Sequence, residues 1–209
     1  MPSPVWWKSC YTPKLDSALN ESCRLITGCI KPTKTDQLYL LAGIAPPQVR
    51  RQARAEAERT KQIHDPRHPI YGQTLPKQRL KSRKNFVATT KPLEKSQPKR
   101  RIDLWQDFLS KNDQDLSMGL KPEEALPPGA ELNWRTWKSL NRLRTLTGRS
   151  KENLIKWGFP TDTTLCSCGQ TQTMSHLLEC PNLQAECTKD NLAVCNNTAI
   201  THAQHWSHI

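Results

Sequence analysis

Glycine, aromatic side chains and long apolar runs are all scarce in this chain. Eight glycines and 6% aromatic residues in 209 positions leave little material for a sheet-rich body. Hydrophobic residues make up only 35% and mean hydropathy is −0.73, so one large core is not expected. No stretch approaches the roughly 18 apolar residues needed to span a bilayer, and no membrane partner is read. The opening "MPSPVWWKSCYTPK" lacks a charged start followed by an apolar segment, so no secretory signal is read either. The expected location is intracellular, in the nucleus, the cytoplasm or both.

What the chain does have is proline, cysteine and positive charge. Sixteen prolines predict helices separated by stiff connectors: a mainly α fold of small helical units. A net charge of +12 and a pI near 9.5 favour a polyanionic partner, whether nucleic acid or an acidic membrane surface. Eight cysteines are compatible with a disulfide framework. Without a secretory signal, however, the default cysteine is a thiol.

Apolar spacing predicts a first helix over residues 12–30, with Thr12 as cap and Pro13 in its first turn. A short second helix follows, capped by Thr35 and stopped at Gly43. A basic third helix starts at the proline pair and shows Val49, Ala53, Ala57 and Ile63 on its apolar side. Residues 1–64 are therefore read as one helical segment. Residues 65–127 read as a largely disordered connector, basic and rich in proline, then acidic. From Gln48 to Arg101 there are 16 Lys and Arg against 4 Asp and Glu, and from Ile102 to Glu131 there are 2 against 7. Within that connector "IDLWQDFLS" has helical spacing. A second helical unit is expected over 128–182, with Trp134, Trp137, Leu140 and Leu143 on one face and Ser150 capping a further short helix. Residues 183–209 read as a tail.

The chemistry sits in "CSCGQTQTMSHLLEC", where Cys166, Cys168, His176 and Cys180 fall within fifteen residues. Cys166 and Cys168 are too close to bridge each other without strain. His176 and Cys180, four apart, share one face of a helix that Thr173 would cap and Pro181 would end. Three sulfurs and one imidazole form a usual closed set for a tetrahedral structural zinc, leaving no position for a substrate. Unmetallated thiols in a small core are the alternative, and Cys187, Cys195, His202, His205 and His208 are alternative ligands. A zinc here would also supply folding energy to a unit poor in core.

The basic residues divide into two groups, Arg50, Arg51 and Arg54 on the third helix, and Arg135, Lys138, Arg142, Arg144 and Arg149 ahead of the cysteine motif. A charge run is usually a solvated face. The accumulation of basic helix, basic connector and basic second unit favours RNA or DNA contacts through phosphates, which give affinity without reading sequence. Trp6, Trp7, Trp134 and Trp137 could stack on bases, although tryptophans at helical spacing are more often core.

Three blocks resemble one family in order. Residues 3–51, "SPVWWKSCYTPKLDSALNESCRLITGCIKPTKTDQLYLLAGIAPPQVRR", resemble the segment after the polymerase palm in non-LTR retrotransposon reverse transcriptases of the jockey-like LINE groups. Residues 133–159, "NWRTWKSLNRLRTLTGRSKENLIKWGF", resemble the stretch before their C-terminal Cys/His motif, and "CSCGQTQTMSHLLECP" resembles that motif. The resemblance implies a helical thumb and connector followed by a zinc-knuckle-like end, with a reverse transcriptase domain upstream as a partner. It does not carry catalysis over. Such enzymes hold two metal ions with paired aspartates, and this chain has no Asp-Asp pair. Asp113 and Asp115 follow the thumb-like block and lack flanking strands. The expectation is a C-terminal fragment without palm or endonuclease, not an enzyme on its own, that binds nucleic acid with little sequence preference. A truncated part of an active polymerase, a protein-docking module built on the acidic "LWQDFL" stretch, and a functionless remnant are the alternatives.

Overall fold

The computed structural model describes residues 12–73, 90–93, 99–111 and 118–209. Trp6, Trp7, Asp113, Asp115 and most of the basic connector lie outside the described residues. Among the described residues the chain is mainly helical. Its helices are α1 (Thr12–Thr27), α2 (Thr35–Ala42), α3 (Pro47–His64), α4 (Arg100–Ser110), α5 (Trp134–Arg144), α6 (Lys151–Lys156), α7 (His176–Glu179), α8 (Lys189–Val194) and α9 (Asn197–His205). The only extended pairing among them is an isolated antiparallel bridge, Leu165 to Thr171. No described helix is long and apolar enough to cross a membrane.

Two compact units share the chain. One takes the described residues of 1–19 and 45–112, the other those of 20–44 and 113–209. The boundary falls inside α1, between Leu19 and Asn20.

In the first unit α3 packs on α4. Pro46 precedes α3 and Pro47 opens it, where a missing N–H costs nothing. Trp105 of α4 is fully buried and Leu104 nearly so. Glu56 of α3, 7% exposed, accepts from Arg100 Nε at 2.7 Å and Nη2 at 3.3 Å, and from Gln52 at 3.0 Å. Arg51 grips Asp16 of α1 with two bonds of 2.7 and 3.0 Å. Two expectations change here. The "LWQDFL" stretch lies in a helix whose Leu104 and Trp105 are buried, with Phe108 and Leu109 half-buried. The buried side of α3 carries Val49, Ala55, Glu56 and Gln62, whereas Ala57 faces solvent.

In the second unit, α2 buries Leu38, Tyr39, Leu40, Leu41 and Ala42 together. Lys34 takes its N-cap position without a side-chain cap bond, and Thr35 is its first residue rather than its cap. The helix ends at Gly43, whose φ of 62° is left-handed and suits glycine. Ile44 N–H closes the turn on the Tyr39 carbonyl at 3.1 Å. A Cβ at Gly43 would stand 2.3 Å from the Ala125 carbonyl oxygen.

The core of this unit is built on α5, with Trp137, Leu140 and Leu143 meeting Leu177, Leu192, Ala199, Ala203, Trp206 and Ile209. Residues 183–209 are thus structural partners of α5 and not a tail. Ser139 Oγ donates to the Trp206 carbonyl at 3.0 Å and Trp206 Nε1 to the Leu177 carbonyl at 2.9 Å. Asn133, Ser150, Thr188 and Asn196 each cap a helix with a side-chain oxygen. Ser150 does so as expected. Trp134, by contrast, is 55% exposed: it occupies the first position of α5, beyond the reach of the core that takes Trp137.

Candidate functional site

The metal-ligand motif folds as a turn followed by one turn of helix. Cys166 N–H donates to the Gln170 carbonyl at 2.7 Å, and Gly169 N–H returns to the Cys166 carbonyl at 2.9 Å. This tight turn brings the Cys166 and Cys168 side chains round together. Thr173 Oγ1 accepts the His176 N–H at 3.0 Å, and Pro181 follows the end of α7 as the sequence requires. Gln172, 4% exposed, fastens the turn to α6 by accepting Lys151 N–H at 3.1 Å. Nothing in the sequence marks that glutamine, because its role depends on a residue 21 positions away.

Four donor atoms result, one from each of Cys166, Cys168, His176 and Cys180, all within 4.8 Å of one another. The Cys166 and Cys180 sulfurs are 3.8 Å apart, and the Cys168 sulfur is 3.3 Å from His176 Nε2. This group can hold a metal ion. Burial pushes the Cys166 thiol up, but hydrogen bonds from the Cys168 backbone, His176, Ser167 and the Cys168 side chain override it and bring it below its ordinary value. At Cys180 burial wins, and the neighbouring Cys166 and Cys168 add to it, so that thiol is raised. Among the alternative ligands, Cys187 is buried in the core and raised to about 11 by that burial. His202 is buried, with Nδ1 on the Thr198 carbonyl at 2.9 Å. Neither joins the four-donor group.

The basic residues of the second unit separate by burial. Arg142 donates through Nε to the Gly28 carbonyl at 2.8 Å and through Nη1 to the Ile209 carbonyl. Arg144 donates to the carbonyls of Leu192 at 2.9 Å and Pro128 at 2.7 Å, and to Asn141 Oδ1 at 3.1 Å. Its guanidinium lies 5.9 Å from the centre of the Trp137 ring, and burial lowers its pKa to about 10. Both arginines hold the unit together, so neither is free to meet a phosphate. Their position in the last turn of α5 also suits the negative end of the helix dipole.

Arg135 and Arg149 are exposed and Lys138 is half-buried. Arg135, Lys138 and Arg142 follow one another at i, i+3 and i+7 along α5. The Lys138 ammonium is lowered first by burial and then by the charges of Arg142, Arg149 and Arg135. His208 is lowered by burial, then by His205, Lys138 and Lys151. These cations lie close enough to repel, and among the described residues no carboxylate forms an ion pair with Arg135, Lys138 or Arg149. In the first unit Arg50 and Arg54 are exposed and form no ion pair with another described residue, whereas Arg51 is committed to Asp16.

Comparison with protein-family models, curated proteins and solved structures finds no match to this chain.

Proposed function

We propose that the second unit is a zinc-stapled nucleic-acid-binding module, with Arg135, Lys138 and Arg149 as its phosphate contacts. The observation that carries this is the cluster of cations that have no carboxylate partner among the described residues. Repulsion among like charges costs stability, and Arg135 stands in the first turn of α5, the end of the helix dipole that disfavours a cation. A cation held at a cost, with no carboxylate partner among the described residues, is explained by an anion that arrives from outside. A chain of net charge +12 draws polyanions toward it.

Zinc is the metal this donor set suits. Three thiolates and an imidazole make a closed tetrahedral site. A zinc–sulfur distance of ~2.3 Å puts two ligating sulfurs roughly 3.8 Å apart, which is the Cys166–Cys180 separation. Two of the donors, Cys166 and Cys180, belong to the hydrophobic core. The ion would hold this part of the core closed rather than act on a substrate.

The three blocks of resemblance support placing this module in a protein related to the non-LTR retrotransposon reverse transcriptases, in the region after the polymerase palm. In that reading the chain itself does not polymerise; it grips element RNA or target DNA with little regard for sequence. The test is an oligonucleotide-binding isotherm repeated across salt concentrations. Affinity should fall steeply as salt rises, and changing Arg135, Lys138 and Arg149 together to Gln should reduce the slope of log K against log salt by about 2–3. Affinity that ignores both salt and the triple substitution overturns the proposal.

A further inference from the structure

The last turn of α5 closes as a Schellman motif around Leu146. Leu146 N–H donates to the Leu143 carbonyl at 3.2 Å, and Thr147 N–H donates to the Arg142 carbonyl at 3.1 Å. The residue at the centre of this motif is left-handed, a position that ordinarily goes to glycine. Leu146 holds it with a φ of 49°, where its Cβ crowds the following carbonyl, and it leaves 43% of its surface exposed. Met118 is left-handed as well, with a φ of 53°. Among the described residues only three non-glycine positions are left-handed, and these two line one cavity. Bulky residues held in strained backbone conformations gather at ligand sites.

That cavity has a volume of about 120 Å³ and is lined by the second unit alone. Met118, Leu146, Leu178 and Leu192 give it apolar walls, and Gln37 and Arg144 add polar groups. Arg144 decides what the space suits. It is 5% exposed and forms no ion pair with another described residue. Even with burial lowering its pKa to about 10, the group is a cation at neutral pH. Buried charges are ordinarily paired, because neutral dipoles replace only part of the hydration they lose. Arg144 spends three N–H groups on the Leu192 and Pro128 carbonyls and on Asn141. The guanidinium has further donors for a ligand small enough to enter, though not for the phosphate of a polymer at the surface. Lys189 contributes a second positive charge to the lining.

We propose that this cavity binds a small organic carboxylate, with its compact apolar body against Met118, Leu146 and Leu192 and its charge on Arg144. Each half of the lining argues against a simpler ligand. A wholly apolar molecule leaves the buried charge unanswered, and an inorganic anion leaves the leucine walls against water. An engineered apolar cavity of roughly 150 Å³ takes up a benzene ring. A single ring, or a branched chain of similar size, is therefore the body this space admits. The inference is independent of the nucleic-acid reading, since none of Arg135, Lys138 and Arg149 lines the cavity.

The experiment titrates the full chain with benzoate, benzyl alcohol and acetate, read by calorimetry and by the methyl resonances of Met118 and Leu146. Benzoate should bind and shift both sets of methyls. Benzyl alcohol keeps the ring without the charge, and acetate keeps the charge without the ring. Each should bind at least about tenfold more weakly, through loss of a charge-assisted hydrogen bond or of the buried ring. Leu146→Gly removes one wall, and the strain it relieves offsets the contacts it loses. Its thermal midpoint should move by less than about 5 °C, while benzoate affinity falls about fivefold or more. Gln37→Trp, at a half-buried lining position, fills the cavity and should abolish binding. The proposal is overturned by benzoate and benzyl alcohol binding alike, by benzoate affinity unchanged in both variants, or by no binding of benzoate at all.

Discussion

Arg142 donates through Nε to the carbonyl of Gly28 at 2.8 Å, across 114 residues of chain. The bond ties the end of α1 to the middle of the second unit's core. Asn141 repeats the link beside it, donating to the Thr27 carbonyl at 3.0 Å, and Trp137 does so through Nε1 to the Ile26 carbonyl at 3.0 Å. Consecutive carbonyls at the end of α1 have no helical partner of their own, and α5 supplies side-chain donors to three of them.

That relationship sets the outcome of removing the two buried arginines. Arg142→Ala leaves the Gly28 carbonyl without its donor in a buried setting, and Arg144→Ala does the same for Leu192 and Pro128. An unsatisfied buried polar group costs about 1–3 kcal/mol, so each substitution should destabilise the second unit by roughly 2–4 kcal/mol. Urea titration followed by tryptophan fluorescence measures this. Arg135→Ala and Arg149→Ala relieve like-charge repulsion, so they should leave the urea midpoint unchanged or slightly raised and lower oligonucleotide affinity instead. If Arg142→Ala unfolds at the parental urea concentration, the structural assignment of that side chain is wrong.

The four-donor group predicts one zinc per chain. Purified protein should show it by elemental analysis, and cobalt substitution should give thiolate charge-transfer and tetrahedral d–d bands. Cys168→Ser or His176→Ala should lose the metal. Because a structural site is formed only in the folded chain, metal binding energy is also folding energy. Chelation should therefore lower the thermal midpoint of the second unit, with little effect on the α3–α4 packing of the first. Absence of zinc together with a colourless cobalt form would eliminate the site.

Cys187 provides a pH prediction that does not involve the ligands. Burial raises its thiol from the ordinary 9.0 to about 11. In the unfolded chain the thiol ionises first, so the folded state is favoured below the ordinary value. That contribution is fully present below about pH 9 and lost as pH rises through about 11. Its size is on the order of 1–3 kcal/mol. Urea midpoints should fall between those limits in the parent and fall less in Cys187→Ala. Parallel curves for the two proteins would remove Cys187 as the cause.

The sequence carried some of this plainly. The ligand group was readable because its four donors lie within fifteen residues, where local turn and helix geometry decides their meeting. The end of α2 was readable from Gly43, since the left-handed conformation is a property of one residue. Arg142 and Arg144 were not, because the carbonyls they satisfy belong to Gly28, Leu192 and Pro128, far along the chain. Trp134 and Trp137 have the same helical spacing as a core pair, yet Trp134 opens the helix and projects past the core. Trp105 looked like part of a connector because its cover, α3, precedes it by some forty residues across a stretch rich in proline.

The first unit gives a last test through Arg100 and Glu56. Glu56 is 7% exposed and its carboxylate has three bonds from Arg100 and Gln52. The hydrogen bond to Glu56 raises the Arg100 guanidinium above its ordinary value against the opposing effect of burial. Removing the arginine leaves a carboxylate with too few donors in a poorly hydrated place, which is the costly way to break such a pair. Arg100→Ala should destabilise the first unit by about 2–4 kcal/mol. The double change Arg100→Leu/Glu56→Met removes both charges and keeps most of the volume, so it should recover most of that loss. Hydrogen exchange at the α3 and α4 amides reads the effect within this unit alone. Equal exchange rates in Arg100→Ala and the parent would mean that the pair is not what holds the two helices together.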